Sequence, residues 1–178
     1  SYYTKALAID KYIFVGSYDY DPPAGSTRGG VWNIGTTGQI TYKNKKVLVS
    51  HGDEFCIDDT EYQMFRKIVR NKDWQKDFLG FPISKRLKIA GEAKDASQNS
   101  KEKKSMTIMD VNQATIEKVI NAHQVDLIIH GHTHRPAKHI IESNNHYCER
   151  FVLGDWTDES VIILDWSNED PVLIDLIN

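Results

Sequence analysis

DLIIHGHTHRP, residues 126–136, is an apolar run stopped by glycine, with histidines at three alternate positions, His130, His132 and His134. Leu127, Ile128 and Ile129 followed by Gly131 read as a short buried strand whose C-terminal end opens into a loop. Three sister runs share the pattern: YIFVGSYD (12–19), KKVLVSHGDEF (45–55) and RFVLGDW (150–156). Buried strands ending in glycine and a polar cluster are the mark of an α/β protein, whose ligands gather at the carboxyl edge of the sheet.

The histidines sit at that edge. Neutral imidazole is the commonest side-chain ligand for divalent first-row metals, and paired histidines at short spacing recur in such sites. On a strand the three rings would share one face; in a turn opened by Gly131, two of them could converge on one point. His51 ends VLVSHGD in the corresponding place, and Asp53 beside it could bind metal or orient the His51 ring.

Helices are expected between the second and third runs. DDTEYQMFRKIVRN places Tyr62, Phe65, Ile68 and Val69 on one face behind a Thr60 cap. DVNQATIEKVINAHQ groups Ile116, Val119, Ile120 and His123 behind an Asp110 cap. Residues 94–105, KDASQNSKEKKS, are polar enough to predict a loop, as is the Gly- and Thr-rich stretch 21–38. The final stretch, ESVIILDWSNEDPVLIDLIN, reads as two strands turned at Asn168–Pro171.

A length of 178 residues predicts one domain with a substantial core. No apolar run approaches the roughly 20 residues of a membrane span, and the first residues carry no signal-peptide pattern. Cys56 and Cys148 lack CxxC spacing and are expected as free thiols in a reducing cytosol. Charge is uneven. Residues 61–104 hold twelve Lys/Arg against six Asp/Glu inside a chain of net charge −3, which suggests an anionic partner or a solvated helical face. The acidic balance and the lack of a recognition motif argue against nucleic acid.

LIIHGHTHRP with HGD upstream resembles the calcineurin-like metallophosphoesterases. The longer stretches SHGDEFCIDDTEYQMFRK, NSKEKKSMTIMDVNQ, HQVDLIIHGHTHRPA and FVLGDW are similar to the family of UDP-2,3-diacylglucosamine pyrophosphatases of lipid A synthesis, over most of residues 45–157. The resemblance implies two β-sheets packed face to face and flanked by helices, a single domain over 1–178 with a helical lid at about 59–105. It implies Mn²⁺ as cofactor, two ions in the family, held by His51, His132 and His134, which also form the catalytic set. Asp59, Tyr62, Lys94, Ser97, Lys101, Lys104 and His132 are implied to bind a UDP-linked diacylated sugar lipid. The apolar residues Phe65, Trp74, Phe78, Leu79 and Phe81 would line an acyl-chain cavity, rest on the inner membrane from its cytoplasmic face, or simply form a helix–helix core.

The pattern is not matched throughout. The family's D-x-H and G-D motifs do not occur before YIFV, and where it has G-N-R-D this chain has GSYD, residues 16–19. Ser17 thus stands where the family has a metal-binding Asn, and it is a weak ligand. The chain therefore reads as the C-terminal part of a longer enzyme, or as a relative that binds a lipid phosphate or nucleotide without turnover.

Overall fold

The computed structural model describes residues 8–9, 12–13, 38–105 and 107–178, with backbone alone for residues 8–9, 12–13, 94, 98 and 101–103. In chain order the elements are β1 (Ala8–Ile9), β2 (Tyr12–Ile13), β3 (Gly38–Tyr42), β4 (Lys45–Ser50), a 3₁₀ turn (Asp53–Phe55), α1 (Thr60–Val69), α2 (Lys72–Gly80), α3 (Ile83–Lys103), α4 (Gln113–His123), β5 (Leu127–His130), β6 (Ala137–Ser143), β7 (His146–Val152), β8 (Ile162–Asp165) and β9 (Val172–Asp175). They fall into two compact units, Ser1–Phe55 with Asn112–Asn178, and Cys56–Val111. The architecture is mixed α/β.

The first unit is built on a five-stranded sheet of order β3-β4-β5-β7-β6 and a four-stranded sheet of order β1-β2-β8-β9. β4, β5 and β7 run parallel, with Val49 beside Ile129 and Ile129 beside Phe151. The apolar runs of β4 and β5 are continuous because parallel strands are covered on both faces. Both antiparallel partners come from hairpins that the apolar pattern did not reveal. Lys43 and Asn44 have φ 49° and 63°, and Asn144 and Asn145 have φ 51° and 60°. Two successive left-handed residues match a two-residue hairpin turn to the twist of its strands, and Asn accepts that backbone at low cost.

One face of the large sheet, through Val47, Val49, Leu127, Ile129, Phe151 and Leu153, shares a buried cluster with Leu164 and Trp166 of the second sheet. Tyr42 meets Trp166 edge-on at 4.9 Å. The opposite face carries Leu48 and Ile128, both fully buried. α4 lies on that side: Thr115 and Val119 share a pocket wall with Leu48 and Phe55, while Ile116 and Ile120 are fully buried. The α4 cap is Asn112, whose side chain accepts from Thr115 N at 3.0 Å, rather than the expected Asp110. Asp110 instead accepts from its own neighbour, Val111 N, at 2.7 Å. His123, expected on the apolar face, is exposed in the last turn of α4. The turn between β8 and β9 falls at Asn168–Pro171 as expected, with Trp166 Nε1 donating to Glu169 O at 2.9 Å.

The second unit consists of α1, α2 and α3. The α1 cap is Asp59, whose Oδ1 accepts from Tyr62 N at 3.0 Å, one residue earlier than the expected Thr60. A carboxylate also favours the positive end of the helix dipole, which a threonine hydroxyl does not. Neither α1 nor α2 buries a residue: Phe65 and Ile68 are half-exposed, and Trp74 stacks on Phe78 at 5.0 Å. Residues 94–103, expected as a loop, continue α3. Ala, Lys, Gln and Glu have good intrinsic helix propensity, and a solvated helix needs no apolar face. No described helix is long and apolar enough to cross a membrane.

Candidate metal centre

Adjacent parallel strands bring the two histidine loops together. Ser50 of β4 pairs with His130 of β5, so His51 and Gly131 leave the sheet side by side. Gly131 N donates to His51 O at 3.1 Å, joining the two loops just beyond the sheet. Gly52 has φ +101°, and a Cβ there would lie 2.7 Å from His130 Nδ1 and 3.0 Å from Gly131 O. Only glycine fits both that backbone and that approach.

Beyond the strand end, His132 and His134 have φ 67° and 53°. The left-handed turn is therefore carried by the histidines themselves rather than by Gly131. Each such residue costs on the order of 1 kcal/mol, and strain of this kind concentrates at functional sites. The turn throws His132 back over His51, with ring centroids 4.9 Å apart and an interplanar angle of 58°. Burial, then the neighbouring His51 ring, pushes the His132 pKa down to about 3, so its imidazole is neutral and keeps a lone pair. His51 Nδ1 lies 3.1 Å from Asp53 Oδ1, and Asp53 is almost fully buried. That nitrogen is itself buried and lacks an aligned hydrogen-bond acceptor. Two apposed imidazoles, one with a carboxylate beside it, suit a divalent cation.

His134 is more exposed, with Nδ1 3.5 Å from Asp155 Oδ2. Ser17 lies outside the described residues. Among the described residues, no group of three or more His, Cys, Asp and Glu side chains is arranged to hold a metal. His130 faces inward from the sheet, fully buried, with Phe55 against it edge-on at 5.7 Å. Its partner is Arg150, a charged residue inside β7 that the sequence reading passed over. The only signal was a charge directly before the apolar run Phe151–Leu153.

In the second unit, Asp59 and Lys104 do meet. Lys104 Nζ contacts Asp59 Oδ1 at 2.6 Å and Glu61 Oε2 at 3.0 Å, and Ser100 donates to Glu61 at 2.8 Å. Burial works against the Lys104 ammonium, but its bonds to Asp59 and Glu61 outweigh that and raise its pKa. The hydrogen bond from Lys104, then that from Ser100, lowers the pKa of Glu61. These groups line a pocket of about 550 Å³ with Asp58, Thr60, Ala96, Asn99 and Ile108. Among the described residues its lining holds the carboxyl groups of Asp58, Asp59 and Glu61 and the ammonium of Lys104. Tyr62 is half-buried at the start of α1 and Ser97 is exposed on α3. The side chains of Lys94 and Lys101 lie outside the described residues.

No family model matches this chain. Curated homologues do, and they are UDP-2,3-diacylglucosamine hydrolases. The protein of that name from Bordetella parapertussis is 48% identical over 111 residues, 62% of this chain and 43% of its own length. That from Pectobacterium carotovorum is 40% identical over 136 residues, 76% of this chain and 57% of its own. That from Chromohalobacter salexigens is 38% identical over 143 residues, 80% of this chain and 56% of its own. The chain spans about half the length of the curated relatives it matches.

Proposed function

Starting from homology to the UDP-2,3-diacylglucosamine hydrolases, we propose that this chain carries part of a metal-dependent enzyme of lipid A biosynthesis. The enzyme would cleave the pyrophosphate of UDP-2,3-diacylglucosamine to UMP and 2,3-diacylglucosamine 1-phosphate. The observation that carries the reading is identity of 38–48% to hydrolases of that name. The apposed His51 and His132 rings support it, as does a two-sheet core of the kind a metallophosphoesterase uses.

In this reading His51 and His132 hold the cation, Mn²⁺ by family resemblance, and His134 and Ser17 belong to a second position. A bound divalent cation would polarise phosphate oxygens and make a water molecule acidic enough to act as nucleophile near neutral pH. The protein's own part is to keep His132 neutral, to back His51 with Asp53 and to close the two loops against each other. Lys104, with Asp59, Tyr62, Ser97, Lys94 and Lys101, would take the sugar phosphate and glucosamine head. Because Lys104 already bonds Asp59 and Glu61, an incoming phosphate must compete with two carboxylates. Exposed Met64, Phe65, Ile68, Leu79, Ile83 and Leu87 suit acyl chains or the cytoplasmic face of the inner membrane.

The test is UMP release from UDP-2,3-diacylglucosamine by the 178-residue chain as Mn²⁺ is titrated. Metal-dependent release that disappears in His132→Ala is expected. Release indifferent to metal or to that substitution would sink the reading. A second reading, binding of a lipid phosphate or nucleotide without turnover, is favoured by the lack of a third grouped ligand among the described residues. Saturable substrate binding, unaffected by a chelator and without UMP release, would support it.

A further inference from the structure

The residue that the proposed chemistry leaves unexplained is Arg150, a guanidinium only 5% exposed in the interior of β7. Arg150 pairs with Ile128, and His130 pairs with Val152, so Arg150 and His130 are diagonal neighbours on one face of the sheet. Arg150 Nη1 lies 2.9 Å from His130 Nε2. A guanidinium can only donate, so Nε2 must accept and the ring proton must sit on Nδ1. His130 Nδ1 is 2.9 Å from Gly131 O, where that proton is needed. The opposite tautomer would set two donors face to face and turn a lone pair toward a carbonyl.

The consequence reaches the two ligand loops. Gly131 is the residue whose N–H bonds His51 O at 3.1 Å, and it immediately precedes His132. Leu153 N donates to His130 O at 2.7 Å, so both backbone and ring of His130 are held from β7 and its extension. Gly52, next to His51, rests against the same ring. One buried imidazole is thus in register with both loops at once, and Arg150 decides which of its nitrogens carries the proton.

We infer that Arg150 is a positioning residue: by fixing His130 as the Nδ1–H tautomer it sets the spacing between His51 and His132 without touching a metal. The inference rests on the reading that these two histidines hold a divalent cation. Arg150 bonds neither His51 nor His132 directly, so its removal should weaken affinity toward the low end of the roughly 10- to 100-fold loss typical of groups bonded directly to a ligand.

The experiment uses the 178-residue chain as wild type, Arg150→Met and Arg150→Lys. Mn²⁺ affinity is measured by calorimetry, the His130 ring nitrogens of the metal-free protein by ¹⁵N NMR, and folding by thermal unfolding. Wild type should show His130 as Nδ1–H. Arg150→Met should mix the tautomers and weaken Mn²⁺ about tenfold or more. Arg150→Lys, which can still donate to Nε2, should keep the tautomer and recover most of the affinity. Wild-type affinity in Arg150→Met overturns the inference, as does an equal loss in both variants that merely tracks their unfolding temperatures. Should the Met variant not fold, an Nε2–H ring in wild type, or loss of affinity in a folded Lys variant that keeps the tautomer, overturns it equally. Failure of wild type to bind Mn²⁺, or unchanged binding in His132→Ala, removes the metal reading itself and the inference with it. Binding through His132 that ignores Arg150 removes the inference alone.

Discussion

The two units of this chain are stabilised in different ways. The strands of the first unit bury whole runs, with Leu127, Ile128, Ile129 and His130 all fully inaccessible. Helices α1 and α2 of the second bury nothing and are set by local devices, the Asp59 and Asn71 caps and the Trp74–Phe78 stack. The first arrangement holds the His51 and Gly131 loops side by side at fixed spacing. The second leaves apolar and charged side chains at the surface, where a large amphiphilic ligand could use them.

Substitutions that remove the same ring from each unit test the contrast most strongly. Phe151→Ala should cost about 3–5 kcal/mol, because Phe151 is fully buried in the shared core. Phe65→Ala should cost less than about 1 kcal/mol, since 45% of Phe65 is already in water. Chemical denaturation of the two variants decides it, and equal losses would break the comparison. Gly52→Ala comes next, at about 2 kcal/mol or more, from the left-handed backbone and the approach to His130. The same variant should lose Mn²⁺ binding, and unchanged stability together with unchanged binding would show that the loop relaxes freely.

Smaller still, Asn112→Ala should cost about 1 kcal/mol by removing the α4 cap, read as a shift in the denaturation midpoint. The smallest effect expected concerns acid. Backbone N–H groups of Val161 and then Ile177 hold the Asp175 carboxyl well below its ordinary value of 3.8. A lowered folded pKa stabilises the protein above the unfolded value, and this is lost as pH falls through the folded one. Wild type should therefore exceed Asp175→Asn in melting temperature near neutral pH, and the gap should close in strong acid. A gap that widens below pH 3.8 would contradict the assignment.

Much of this was legible beforehand. VLVSHGD and LIIHGH announced buried parallel strands with histidines at their ends, because continuous apolar runs stopped by glycine have few other readings. The turn at Asn168–Pro171 was equally plain. Three features were not. The polar run 94–103 gave no apolar period, and period is the signal by which a helix is usually recognised, yet propensity alone sustains α3. Thr60 and Asp110 competed with nearby Asp59 and Asn112 as caps, and which side chain reaches the N3 amide is a matter of one or two residues of register. The hairpins of β3–β4 and β6–β7 turned on Lys43–Asn44 and Asn144–Asn145, pairs without the glycine that usually marks such turns.

The sequence by itself determined the buried strands that end at the histidine loops, the placing of His51, His130, His132 and His134 at their carboxyl ends, and the resemblance to lipid A hydrolases. Only the tertiary structure decided how those histidines divide. His51 and His132 face each other because β4 and β5 are adjacent and parallel, while His130 turns inward to Arg150 and His134 outward to Asp155. Alternation along one strand cannot express that division, since it depends on left-handed backbone at His132 and on a guanidinium from a strand twenty residues further along the chain.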